Sequence, residues 1–399
     1  NSDCPEPTNV CDTVKSICVE CLIQDDCAHQ PGTVCDAGVC DCPGDESFCE
    51  PSTCVDLKTS PEHCGSCDHA CFGSCVDGAC ADPWEPTGTT DAPQQRSNHV
   101  AVWTGTEMIV WGGSTNGATS GALNSGGIYN PTTSTWRDVS IVNAPSARIE
   151  ATAVWTGSVM IVWGGRATNG QLFADGGMLD PVTNTWTVLA ASNSISARRY
   201  HSAVWTGTEM IIWGGRDDSG NHLSSGSRFD PDQMMWFATS IVESPSGRER
   251  HTAVWDNVNE QMLVWGGFGD GPNTANTAIP GDGIVGGRVY QINNNTWGKI
   301  ESVGQPSPRY EHTAIFDGTR MVVYGGFDNS AYFNDGNSLA SNSWSPFSGT
   351  GPGERHRHVA VWLETPKVMV VWGGMNASGY LNSGGVFDSA TNKWVGMTP

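Results

Sequence analysis

Residues 198–215 read RRYHSAVWTGTEMIIWGG, and each part of this run carries a structural meaning. The alternating SAVW, the TGTE turn and the unbroken MIIW describe two short strands, the second buried on both faces. The closing Gly-Gly permits positive backbone dihedrals and close approach of a neighbour. The same text recurs as RSNHVAVW, RIEATAVW, RERHTAVW, RYEHTAIF and RHRHVAVW, each leading to an apolar strand and a glycine pair. The pairs stand at 112–113, 164–165, 214–215, 266–267, 325–326 and 373–374. A third strand follows, as in GGIYNP, SRFDP or GGVFD, then a fourth that opens on Trp136, Trp186, Trp236, Trp297, Trp344 or Trp394. We label the four strands of each unit A to D. Four short strands per unit of about 50 residues predict a propeller blade. Six units predict an all-β, six-bladed β-propeller over residues 83–399.

The glycine pair, the aromatic residue before it and the Trp of strand D resemble the kelch repeat in all six units. That resemblance implies strand A innermost and the D-to-A and B-to-C connections on one face, where partners of such propellers bind. Only the fifth unit departs from Trp in strands A and B, with Phe316 and Tyr324. Trp84 stands twelve residues before Arg96, the same interval as Trp136 to Arg148 and Trp186 to Arg198. Residues 84–95 thus look like a surplus strand D that competes with the Trp394 strand for the outer slot of the last blade.

The first fifth of the chain has a different chemistry. All fifteen cysteines lie there, seven in a first module over residues 1–41 (Cys4, Cys11, Cys18, Cys21, Cys27, Cys35, Cys40). Eight more fall in a second module over 42–82 (Cys42, Cys49, Cys54, Cys64, Cys67, Cys71, Cys75, Cys80). A segment this poor in aliphatic runs needs cross-links, which points to disulfides and an oxidising compartment. An odd count leaves one sulfur over, for a partner upstream of Asn1, another chain or a free thiol. A first residue other than Met fits a processed, exported chain. The stretch CVDLKTSPEHCGSCDHACFGSCVDGAC (54–80) resembles cysteine-rich modules of secreted myxobacterial proteins, which implies a location more than an activity.

The formal net charge of −22 opposes binding to phosphate backbones, so nucleic acid is not an expected partner. Apolar runs such as 368–372 are far shorter than the ~18 residues that span a bilayer, so membrane insertion is not expected. The sequence contains no phosphate-binding loop, GxSxG elbow or zinc-protease motif, and it calls for no cofactor. His99, His201, His251, His312 and His358 recur at one place in the repeat, as do Arg96, Arg148, Arg198, Arg248, Arg309 and Arg355. Such recurrence reads as one structural job done in every blade, and no metal site is expected from it. RDDSGN (216–221) and GDGPNTANTAIPGDG (269–283) lack a full calcium-ligand order and read as turns.

A ligand lacks six-fold symmetry, so function is expected where the repeat is broken. In the D-to-A loops the residues between Arg and His vary, giving Glu150, Arg199, Tyr200, Arg250, Tyr310, Glu311, His356 and Arg357. After the glycine pair of the B-to-C loops stand Arg166, Arg216, Phe268 and Phe327, and the fourth unit carries an insertion from Phe268 to Val285. Guanidinium, carboxylate and aromatic groups around a shallow concavity suit a protein segment or a glycan. The expectation is a secreted or cell-surface, non-enzymatic binding protein. Self-association into a multimer or filament is a further expectation, raised by the odd cysteine and the surplus strand. The alternative is a carbohydrate-active enzyme similar to the kelch-type sialic acid mutarotases, with Arg166, Arg216, Glu150 and Glu311 as its site. Galactose-oxidase-like copper enzymes need a Tyr cross-linked to Cys, and residues 83–399 contain no Cys.

Overall fold

The computed structural model describes residues 87–117, 120–271, 274–278, 287–300, 303–347 and 351–395. It also describes the short stretches 10–12, 17–19, 34–36, 39–41, 47–49, 53–59, 75–77 and 79–80. Two compact units divide the chain, one of Pro86–Ser383 with Ser389–Asn392, the other of Asn1–Glu85 with Gly384–Asp388 and Lys393–Pro399. In the second unit the described cysteine-rich stretches form two-stranded hairpins, such as Val34–Asp36 with Val39–Asp41. Apart from Cys75, which is buried, the cysteine side chains lie outside the described residues.

Six four-stranded antiparallel sheets repeat the order A-B-C-D, so the protein is an all-β, six-bladed propeller. Blade 3 shows the pattern, with Ser202–Trp205, Met210–Trp213, Gly226–Asp230 and Met235–Ala238. Its register sets Trp205, Met210, Phe229 and Trp236 in one row across the sheet. That row packs on the blade before it, against Val154, Ile161 and Trp163 of blade 2. The same arrangement joins blades 1 and 2, 3 and 4, and 4 and 5. Strand B carries side chains to both seams at once, which is why MIIW is completely buried and apolar throughout.

The repeated polar residues make the links that the sequence pattern implied. Arg148 donates to the carbonyls of Gly164 (3.0 Å) and Asp175 (2.9 Å) and stacks 4.1 Å from the ring centre of Phe173. Arg198, Arg309 and Arg355 bond the equivalent glycine carbonyl of their own blades. The second glycine of the first five pairs reaches the next blade, with Gly165 N–H on Arg198 O at 2.9 Å and Gly215 N–H on Arg248 O at 2.8 Å. Gly164 has φ of +69°, and a Cβ there would lie 2.7 Å from His201 Cε1, so both dihedral and space require glycine.

The histidines also join blades. Nε2 of His201 lies 2.8 Å from Thr152 Oγ1, and His251, His312 and His358 meet Ser202, Thr252 and Thr313 at 2.7–2.9 Å. Burial beside the repeated arginines drives His251 and His358 down to about 3 and His201 and His312 well below the ordinary value. These four rings are therefore neutral struts. His99 differs from the others and is exposed.

One reading needs correction, and one alternative that the sequence leaves open is decided. The fourth-blade insertion, expected as turns, begins as strand Phe268–Gly271, which pairs with Thr274–Ala278 and with Arg248–Glu249 in a three-stranded ribbon. The contest for the outer strand of the last sheet goes to Lys393–Val395. Trp84 lies outside the described residues. Residues 87–95 nonetheless follow the course of a D-to-A connection, since Gly88 O accepts from Trp136 Nε1 (2.8 Å) as Ser140 O does from Trp186.

Candidate functional site at the mouth of the propeller

The loop between Arg and His is the innermost turn of each blade. Its first residue bridges to the residue after the glycine pair, as in Ile149 with Arg166, Arg199 with Arg216 and Tyr310 with Phe327. Its second residue is forced into the left-handed region in all six blades. Asn98, Glu150, Tyr200, Arg250, Glu311 and Arg357 have φ of +54° to +59°. None is glycine, and such backbone is uncommon for bulky residues. The turn is held from both sides, because Ile149 and Arg166 exchange two backbone hydrogen bonds, and so do Tyr310 and Phe327. Backbone bonds also pass between blades, with Arg250 N–H on Tyr200 O, Glu311 N–H on Arg250 O and Arg357 N–H on Glu311 O at 3.0–3.1 Å. The result is a collar of strained residues whose side chains share one mouth.

The side chains form a continuous network. Glu150 accepts from Arg166 Nε (2.8 Å) and Nη2 (3.1 Å), from Arg199 Nη1 (3.3 Å) and from the Tyr200 hydroxyl (2.8 Å). The Arg250 guanidinium lies 4.4 Å from the ring centre of Tyr200 and reaches Glu311 at 2.9 Å. Glu311 also accepts from Arg357 Nε (2.7 Å) and faces His356 Nδ1 (2.8 Å). Although burial opposes ionisation, these three partners hold the Glu311 carboxyl down to about 2. Burial beside Glu150 raises the Tyr200 phenol, so it stays a donor.

On the other side runs an aromatic strip. Phe268 meets Tyr310 edge-on (centroids 5.2 Å), Tyr310 meets Phe327 (5.7 Å), and Phe327 packs on Tyr332 (4.6 Å) and His356 (5.4 Å). Between strip and network sits Glu249, 1% exposed, with Arg250 Nε at 3.6 Å and Arg216 Nη1 at 3.9 Å. Its Oε2 has no hydrogen-bond partner.

All twelve residues singled out from the sequence therefore meet in this mouth, Arg216 through Glu249. Glu249, Tyr332, Asn329 and His222 were not singled out. Asn329 accepts from the Tyr310 hydroxyl (2.7 Å), and His222 abuts Phe268 (5.7 Å). The last three sit at B-to-C loop tips, where no repeat marks them. The RDDSGN segment is a turn, as read, with Asp217 accepting from Asn221 N–H at 2.8 Å. Among the described residues no cluster of His, Cys, Asp and Glu has the makings of a metal site.

Chemically, the mouth suits recognition better than proton transfer. Glu311 is too acidic to act as an efficient base near neutral pH, and Glu150 is pinned by two arginines and a phenol. Within the collar network five arginines face three glutamates, a local excess of guanidinium in a chain of net charge −22, with Asp217 and Asp328 on the adjoining B-to-C loops.

Comparison with known proteins agrees with the geometry. The family model described as the KLHDC2/KLHL20/DRC7 Kelch-repeats domain matches residues 81–267 and 200–398. A tRNA wybutosine-synthesizing protein 2/3/4 of Oryza sativa subsp. japonica is 29% identical over 149 residues. That alignment covers 35% of this chain and 13% of the relative, so the chain spans a small part of the relative's length.

Proposed function

Because this chain belongs to the kelch-repeat family, we propose that it is a binding propeller whose mouth takes a protein segment bearing acidic side chains. The observation that carries this reading is the excess of guanidinium over carboxylate at the collar, set beside an aromatic strip. Arg357 and Arg216 have side chains 54% and 34% exposed, so each keeps N–H groups for an incoming carboxylate. The aromatic strip supplies apolar contact at low entropic cost. Residues 1–82 complete the proposal as a disulfide-bonded, acidic arm of a secreted or cell-surface protein.

The test is an array of acidic, basic and neutral peptides, together with glycans, probed with the full chain. Preference for acidic peptides, weakened about tenfold by Arg216→Ala and by raised salt, is the expected outcome. Glycan capture without peptide capture, or sugar turnover abolished by Glu150→Gln, would overturn it.

A further inference from the structure

The seam between blades 6 and 1 is built differently from the others. Elsewhere the second glycine of a pair donates to the carbonyl of the next blade's repeated Arg, at 2.8–2.9 Å for Gly113, Gly165, Gly215, Gly267 and Gly326. The corresponding pair, Gly374 N–H and Arg96 O, makes no such bond. A Cβ at Gly164, Gly214, Gly266 or Gly325 would collide with the next blade's histidine, whereas one at Gly373 would meet nothing of blade 1. Where Thr or Ser receives that histidine, blade 6 has Val359, and His99 is exposed.

The apolar faces tell the same story. Val154, Val204, Val254 and Ile315 are 6–7% exposed, but Val361, at the same place in blade 6, is 52% exposed. Val359 is 61% exposed, and across the seam Trp103 of blade 1 is 53% exposed. One strand further out, Val110 and Val370 are both 7% exposed, but Met108 and Trp372 of the same strands are only half-buried where their counterparts in blades 2 to 5 are buried, so the opening is widest at the innermost strands and extends into the second.

We propose that this inner seam is a docking groove for one extended segment of a partner protein, apolar on alternate residues. The five closed seams define its chemistry. An occupant must cover Val359 and Val361 on one side and Trp103 on the other. It must also offer a carbonyl to Gly374 N–H, since Arg96 O already faces the ring of His99. A polypeptide strand supplies alternating side chains together with a backbone carbonyl, which a sugar or an acyl chain does not. The groove begins at Asn98 and Arg357, two ends of the collar, so it is continuous with the mouth. It uses different residues, and it stands or falls independently of the acidic-segment reading.

The probe is the synthetic peptide RHTAVWDN, the chain's own strand-A text of residues 250–257, added to the full protein. Saturable binding is expected, reduced at least tenfold by Val361→Lys and by Trp103→Lys and unchanged by Arg216→Ala. Both lysine substitutions fall on exposed positions, and circular dichroism checks that the fold persists. With p-benzoylphenylalanine at position 361, irradiation should couple the chain to the peptide. Absence of saturable binding, or binding indifferent to both lysine variants, would overturn the proposal. So would coupling of position 361 to the chain's own residues or to a second copy despite added peptide.

Discussion

Tyr200 holds Glu150 by its hydroxyl, 2.8 Å away, while its ring lies 4.4 Å from the guanidinium carbon of Arg250. One side chain thus couples an anion of blade 2 to a cation of blade 4. Tyr200→Phe keeps the cation–π contact and removes the hydrogen bond, and is expected to cost about 1–2 kcal/mol. Tyr200→Leu removes both and should cost about 0.5–1 kcal/mol more. Urea unfolding of the two variants separates the terms, and equal losses would show that the ring contact contributes nothing.

The collar's backbone makes its own prediction. Arg357→Gly and Arg357→Ala delete the same contact with Glu311, but only glycine is at ease at φ of +55°. The glycine variant should be the more stable by about 1 kcal/mol. Equal midpoints in a denaturant titration would mean that this turn relaxes when the arginine goes.

Buried neutral histidine links stability to pH. His251 and His358 titrate at about 3 in the folded chain, below the ordinary 6.5 of an unfolded one. Their stabilisation is fully present above about 6.5 and is lost as pH falls toward 3, by up to about 1.4 kcal/mol per pH unit for each ring. Glu311, held at about 2 against an ordinary 4.5, adds a loss of the same sign below 4.5. The denaturant midpoint should therefore drop from pH 7 to pH 5, and His251→Gln should flatten that drop. A midpoint that does not move over this range would show that the rings protonate freely in the native state.

Blade 2 breaks the histidine rule with Ala151, and the blade before it carries Val100 where blades 2 to 5 have Thr or Ser. The two departures are matched, because a lone histidine or a lone hydroxyl would be buried without its partner. Val100→Thr with Ala151→His should restore the link, with a favourable coupling of about 1 kcal/mol in a double-mutant cycle. A coupling of zero would mean that the ring does not reach the hydroxyl.

Reduction tests the proposed arm. With dithiothreitol, residues 1–82 should lose their structure while the propeller keeps its cooperative melt, since residues 83–399 have no cysteine. Loss of both transitions would show that the two regions are not autonomous.

The blades were legible because each element recurs with the same residue types. Gly-Gly, the arginine and the tryptophans answer one geometric demand six times, and recurrence separates that demand from chance. The mouth was legible only as a set of places where the pattern fails. Its backbone conformation was not, since Asn, Glu, Tyr, Arg, Glu and Arg share nothing that announces a left-handed turn. Glu249 is one of the varying loop residues but does not stand out among them, because its importance lies in burial, a property of neighbours rather than of its own letter. The departure at Val359 is visible in the text, but it is one of two lost hydroxyls among six, and the letter alone could not show how far the apolar faces are uncovered.

The struts between blades also give the repeats an address. In blades 3 to 6 the entering histidine has a hydroxyl ahead of it, and blade 2, entering with Ala151, has the valine that blade 1 presents. Exchange blades 2 and 3 in the gene and Ser202 would face alanine, while His201 would face Val100. The six units look like copies, but their order is written into their edges, so duplication or shuffling of single blades would be punished at the seams before any ligand was lost.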